Sequence, residues 1–188
     1  KSMSRWFSVR WVAVFGLVGP LLANCATAQD IPYSVVFEGE FPASFVSADP
    51  AHGWSITPIP KGAAIKVITD HASSETLKQW LGSEWIGHFQ EVDFTQSIVV
   101  LIFRGTHSSG GYELTLRDVR AVGEDVAFYC EFAEPRPGFA MPTIVTSPFI
   151  AVALARDQIP SEAKSFVLYD VNREVARTDS RIDTELVP

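Results

Sequence analysis

The chain has 188 residues and a formal net charge of −7 at pH 7. This length corresponds to one domain, or to one domain with a small extension. The acidic balance excludes a basic surface of the kind that binds nucleic acid or anionic lipid.

The first 28 residues have the features of a secretory signal peptide. Lys1, Arg5 and Arg10 form a basic start, and an apolar run of about 13 residues follows. Ala26-Thr27-Ala28 is similar to a cleavage site. Removal of three of the 15 basic residues, with all 22 acidic residues kept, would change the net charge from −7 to −10. We therefore expect an exported protein, either periplasmic or secreted.

Cys25 leaves a second processing route open. Leu22-Ala23-Asn24-Cys25 is similar to a bacterial lipobox, in which the cysteine is lipidated, although Asn24 departs from the small residues usual at its position. A lipid-anchored protein and a freely soluble one are thus both alternatives, and we expect membrane contact only through such an anchor.

The rest of the chain divides by composition into three parts. Residues 29–60 are predicted to be irregular with short strands, because prolines and Gly53 interrupt them. Residues 61–172 are predicted to form the globular domain. Residues 173–188 are polar and mixed in charge, which predicts a frayed tail.

One amphipathic helix is predicted over residues 74–81. Leu77, Trp80 and Leu81 recur at helical spacing, and Ser73 or Ser74 offers an N-cap. A second turn is expected near Glu84 to Phe89.

The strands carry most of the apolar residues. Ile98 to Phe103 are six consecutive apolar residues, which predicts a strand covered on both faces by a helix or a second sheet. Further strands are predicted at 112–116, 126–132, 149–155 and 166–169. Cys130 lies on the apolar face of its strand, so we expect a buried, inert thiol. The fold class is therefore α+β or mainly β, with antiparallel sheets in a sandwich or half-barrel and one covering helix.

Several chemical functions are disfavoured by the residues present. Gly105 and Gly110 have the spacing of a phosphate loop, but the Lys-Ser/Thr pair and a following helix are missing. Ser108 and Ser109 adjoin His107 without a Gly-x-Ser-x-Gly motif. The four histidines are scattered and form no ligand pattern. We predict no catalytic residue, no metal site and no cofactor.

A series of short motifs resembles the PrcB-type C-terminal domain family, found in accessory proteins of bacterial protease complexes. The motifs are Val92-Asp93-Phe94, Ser109-Gly110-Gly111-Tyr112, Pro135 with Pro137-Gly138, and Thr146-Ser147-Pro148-Phe149. The resemblance extends from about Ile65 to Tyr169. Ser109 stands where the family has threonine, and the two prolines Pro135 and Pro137 are unusual. The resemblance implies an exported or lipid-anchored companion of a protease, needed for assembly or stability, and it carries no catalytic residues.

We therefore predict a non-enzymatic binding or assembly module whose partner is a protein, a protease or an envelope complex. Its binding residues are expected on three loops rich in glycine, proline and serine. The predicted partner-binding residues are Ser109, Gly110, Gly111, Tyr112, Arg136, Phe139, Met141 and Ser147. The same glycines and prolines also suit a purely structural role in turns and at strand ends, and the two interpretations are compatible.

Two other functions stay open. Gly-Tyr and Pro/Gly loops on a β-sandwich are similar to those of chagasin-like protease inhibitors, although loop chemistry alone does not settle function. The second alternative is an enzyme with a shallow site near His107, for which the sequence suggests no substrate.

Overall fold

The computed structural model describes residues 28–42, 46–49, 53–56, 62–79, 83–138, 140–143 and 145–179. The predicted signal peptide, lipobox and last nine residues thus lie outside the described residues, except for Ala28. The strands are β1 (Gln29–Asp30), β2 (Tyr33–Pro42), β3 (Val46–Asp49), β4 (Gly53–Ile56), β5 (Ala64–Ile68), β6 (Ser97–Phe103), β7 (Glu113–Val122), β8 (Asp125–Ala133), β9 (Thr146–Ala155), β10 (Ser165–Asp170) and β11 (Arg173–Asp179). The helices are α1 (His71–Glu75) and α2 (Ser83–Phe89), with 3-10 turns at Thr76–Gln79 and Arg156–Gln158.

The strands form two main sheets and one short hairpin pair. The first sheet has the order β2-β9-β6-β5, with all pairs antiparallel. The second has the order β1-β7-β8-β10-β11 and is antiparallel except between β8 and β10. That parallel pair arises because the chain leaves the second sheet after β8, passes through β9 in the first sheet, and returns. β3 and β4 pair only with each other among the described strands.

The two sheets face each other across the larger hydrophobic cluster. β6 contributes Ile98, Val100 and Ile102, while Phe128 and Leu168 come from the opposite sheet, and all five are at most 3% exposed. The predicted fold class was α+β or mainly β, in a sandwich or half-barrel, and the structure confirms it as mostly β with two sheets and few helices.

The other face of β6 is also buried, as its continuous apolar run predicted. Val99, Leu101 and Phe103 belong to a second cluster, which the side chains of Leu77 and Phe89 cover from the helical side. The first sheet is therefore packed between the second sheet on one face and the helices on the other. This explains why β6 lacks the alternation of apolar and polar residues that a half-exposed strand has.

The predicted start of the first helix was wrong, while its predicted end, with Trp80 and Leu81, lies outside the described residues. Asp70, not a serine, caps α1: it has extended backbone angles, and its carboxylate accepts a hydrogen bond from the Ser73 N–H at 2.6 Å. The side chain of Ser74 instead donates to the carbonyl of His71 inside the helix. The helix thus begins three residues earlier than predicted, and two short helices cover the sheet instead of one.

Two further expectations about boundaries need correction. Residues 173–179 form β11, paired with β10, so the frayed tail predicted from this point is wrong for those residues. Their stabilisation comes from pairing and from Val175 and Ala176, which pack on the cluster between the sheets. Pro148 lies inside β9 opposite Glu40, so it does not end that strand.

Among the described residues, no helix has the length and apolar character needed to span a membrane.

Candidate functional site

Two long connections lie together at one end of the sandwich. The loop 104–112 joins β6 to β7, and the loop 134–145 joins β8 to β9. β6 is antiparallel to β9, so the end of β6 lies beside the start of β9. β7 is antiparallel to β8, so the start of β7 lies beside the end of β8. The two connections therefore run between the same pairs of strand ends. We call the described residues 104–112, 134–138, 140–143 and 145–148 the loop rim.

Backbone hydrogen bonds join the loops of the rim. His107 and Thr146 bond to each other in both directions, with N–O distances of 2.8 and 3.0 Å. The hydroxyl of Thr146 donates to the carbonyl of Ser109 at 3.0 Å, and the N–H of Gly110 donates to the carbonyl of Pro142 at 3.1 Å. These hydrogen bonds connect the two loops directly to each other.

Gly111 allows the closest approach between the loops. Its φ of +85° lies in the left-handed region, as expected for one of the paired glycines. A Cβ at this position would lie 2.9 Å from the sulfur and terminal carbon of Met141 and 3.3 Å from Pro135. Any larger residue here would separate the first loop from the second.

Arg104 is the buried charge beneath the rim. It is 7% exposed, and its Nη1 donates to the carbonyls of Glu113 and Ala133. Its guanidinium also lies over the rings of Tyr112 and Phe132, 4.7 and 5.5 Å from the ring centroids. Burial lowers the pKa of this guanidinium, and the carboxylate of Glu134 opposes the shift. Arg104 was not among the residues predicted from the sequence, although a charged residue directly after six apolar ones was a usable signal.

His107 lies flat against Tyr112. The ring centroids are 3.8 Å apart and the planes are inclined by 12°. The Nε2 atom is buried and has no hydrogen-bond partner among the described residues. Burial and the positive charge of Arg104 lower the pKa of His107, so the ring is neutral near pH 7.

The predicted partner-binding residues differ in their exposure. Arg136 and Gly111 are exposed, while Ser109, Tyr112 and Met141 are half-buried. Gly110 is buried, and Ser147 is 1% exposed with a hydroxyl that has no partner among the described residues. Phe139 lies outside the described residues. The structure therefore brings seven of the eight residues to the same rim and places two of them beneath its surface.

Within the part of the chain that the structure describes, no three His, Cys, Asp or Glu side chains gather where a metal ion would bind. The rim combines backbone turns, one stacked histidine and one buried arginine. Its loops are held by the strands of the two sheets, and loops positioned in this way often carry binding residues.

A comparison with protein families finds a match for the segment that contains the loop rim. Residues 98–155 match the model of the PrcB C-terminal family, and this match supports a PrcB-type C-terminal domain in this part of the chain. The matched segment runs from β6 to the end of β9 and contains both loops of the rim. The resemblance predicted from the motifs is thereby confirmed for these residues, and the family is not a known enzyme family. The searches of curated proteins and of solved structures gave no match.

Proposed function

We propose that this chain is an exported, non-enzymatic accessory protein that binds a protease or an envelope complex through the loop rim. The observation that carries the proposal is the family match, because the matched residues 98–155 include the whole rim and the strands that hold it. A protease-complex accessory domain is what this family suggests.

The order of the rim supports a binding role. Loops already fixed by hydrogen bonds lose less conformational entropy on association than free loops do. The Thr146 and Gly110 bonds described above provide that order. The exposed rim residues Ser108, Arg136 and Thr143 can contact a partner directly, while Gly110 and Ser147 support the surface from below.

The environment of His107 supports recognition in preference to catalysis. A general base must reach the proton that it removes. The Nε2 of His107 is buried, and its ring stacks on Tyr112. Ser108, its exposed neighbour, forms no hydrogen bond with it among the described residues. The stacking of the ring on Tyr112 and the burial of its Nε2 atom support a role in ordering the loop.

Affinity purification of the tagged full chain from the source organism's envelope tests the proposal. We expect a protease or envelope-complex subunit to be enriched over a tagged acidic protein of similar size. Mass spectrometry of the purified protein also reads its N-terminus, which we expect at Gln29 or at a lipidated Cys25. Recovery of the uncleaved chain from the cytoplasm, without such a subunit, would contradict the proposal.

Inhibition assays against papain-like and subtilisin-like proteases separate assembly from inhibition. An assembly factor binds without a dose-dependent loss of protease activity. A stoichiometric loss of activity would favour the inhibitor alternative instead.

A further inference from the structure

The outer edge of β7 is only partly covered. β1 pairs with β7 near residues 120–121, and the N–H of Ile31 donates to the carbonyl of Val119 at 2.8 Å. Pro32 follows, which has no N–H to continue the ladder, and the chain crosses to the other sheet as β2. Among the described strands, none pairs with the outer edge of β7 from Glu113 to Asp118.

β2 is the facing edge of the first sheet, and a groove of about 480 Å³ lies between the two edges. Its floor includes the start of β9, from Pro148 to Ile150. Tyr112 of the loop rim lines one end, so the groove is continuous with the rim.

The edge of β7 presents backbone groups to this groove. The hydroxyl of Tyr33 donates to the carbonyl of Leu116 at 3.4 Å, which shows that this carbonyl points away from β8. In an antiparallel ladder, alternate residues point the same way, so the N–H and carbonyl of Leu114 also face outward. Edge groups such as those of Leu114 can pair with an added strand, which at Leu116 would replace the bond from the Tyr33 hydroxyl.

The groove carries a negative charge. Glu38, Glu40 and Glu113 line it, and its described lining has no Lys, Arg or His. None of the three carboxylates forms an ion pair within the described part of the chain. Arg104 lies nearby, but its Nη1 is bonded to the carbonyls of Glu113 and Ala133. A guest segment with basic side chains would therefore be attracted to this groove.

The groove also offers apolar contacts. Val35 is 50% exposed, one of the few large apolar side chains of the described residues with such exposure. Leu114 is half-buried on the opposite wall. Val35 pairs with Val152 and Glu38 pairs with Ile150, and both partners belong to the cluster between the sheets, so Val35 and Glu38 lie on the same face of β2. The side chains of an added strand that point into the groove therefore meet both the carboxylates and Val35.

We propose that an extended basic segment of a partner protein adds to the outer edge of β7 as a further strand. Its lysines or arginines contact Glu38, Glu40 and Glu113, and the apolar stems of the side chains that point into the groove contact Val35. The inference deepens the proposed function by naming the partner's chemistry, but its binding test does not require the natural partner.

Peptide titrations with the full chain test strand addition. The probe is a synthetic eight-residue peptide that alternates lysine and valine. The first control replaces lysine with glutamate. The second keeps lysine but carries N-methyl groups on alternate backbone nitrogens along one edge. We expect saturable binding of the probe, and at least about tenfold weaker binding of both controls.

Equal binding of the N-methylated peptide would overturn strand addition, and equal binding of the acidic peptide would overturn the charge argument. No saturable binding of the probe would also overturn the inference. That result includes the case in which the chain's own basic N-terminal segment fills the groove.

A charge variant locates the site. The triple variant Glu38→Gln, Glu40→Gln and Glu113→Gln should bind the probe about tenfold more weakly at low salt. The matched control changes Glu91→Gln, Asp157→Asn and Glu162→Gln, three exposed acids whose side chains lie outside the groove lining. It should bind within about twofold of wild type. Equal weakening in both variants would show a general effect of net charge and overturn the site.

Different results would contradict the proposed function and the proposed strand addition at the groove. If the probe binds at the groove but no protease or envelope subunit co-purifies, the proposed function fails and the groove stands. If the subunit co-purifies equally with the groove variant and the probe does not bind, only the groove inference fails.

Discussion

The ring of His107 stacks on the ring of Tyr112 with 3.8 Å between their centroids. The guanidinium of Arg104 lies 4.7 Å from the centroid of the same tyrosine. Tyr112 therefore joins the loop that follows β6 to the buried charge beneath it. It belongs to neither hydrophobic cluster, and its ring contacts are with His107 and Arg104 at the rim.

Truncation of Tyr112 should loosen the rim. Tyr112→Ala removes the surface on which His107 and Arg104 lie, and we expect a loss of about 2 kcal/mol in the free energy of unfolding. Tyr112→Phe keeps the ring and should cost less than about 0.5 kcal/mol. Urea denaturation measures both values, and equal costs would contradict a role based on the ring.

The stability of the rim should depend on pH through His107. Its pKa is lowered in the folded protein, so folding favours the neutral ring. The contribution is present above the unfolded pKa of 6.5 and is lost as the pH falls below that value. His107→Phe keeps an aromatic ring without the titration. The difference between wild type and this variant should therefore change between about pH 7 and pH 5. A constant difference across that range, measured by thermal denaturation, would contradict this account.

Gly105 should tolerate substitution poorly. Its φ is +106°, and a Cβ would lie 2.7 Å from the backbone carbon of Gly62. Gly105→Ala should cost about 3 kcal/mol in the free energy of unfolding. Gly138 has a φ of +85° but no atom within 4 Å of its Cβ position, so Gly138→Ala should cost only about 1 kcal/mol. Chemical denaturation of both variants separates the steric cost from the backbone cost, and equal losses would show that contact with Gly62 contributes nothing.

Cys130 should be unreactive until the protein unfolds. The side chain is 2% exposed, and burial raises the pKa of its thiol to about 12. Near neutral pH the thiol is therefore protonated and has little of the reactivity of a thiolate. In a Cys25→Ser background, a thiol reagent should label no cysteine in native buffer and one cysteine in concentrated urea. Rapid labelling of the native protein would show that the strand opens locally.

The sequence predicted the parts of the fold that depend on continuous or alternating apolar residues. The run from Ile98 to Phe103 correctly indicated a strand covered on both faces. The alternation after Tyr112 and after Gly123 correctly indicated a strand pair. These patterns are local and follow directly from the geometry of a strand.

Features set by tertiary context were missed. The pairing that orders β11 comes from β10 and cannot be read from the polar residues of β11 themselves. The cap at Asp70 competed with two serines that suit the same role equally well by residue type.

The candidate site was predictable in its loops but not in its interior. Glycines and prolines marked the turns, and their place at strand ends indicated that they would meet. The burial of Ser147 and the stacking of His107 on Tyr112 depend on how the loops 104–112 and 134–145 pack against each other, which local sequence patterns do not specify. The open edge of β7 depends on where Pro32 directs the chain, which is a property of the whole sandwich.

The most direct test is co-purification of an envelope protease or complex with a rim variant. Ser108→Tyr combined with Arg136→Glu changes two exposed rim residues, while Ser161→Tyr with Lys164→Glu makes the same types of change at exposed positions outside the rim. Both variants should keep the wild-type melting temperature. The account predicts that the rim variant loses the protease or envelope subunit and that the control retains it. Equal recovery of that subunit with the folded rim variant and with the control would contradict the account.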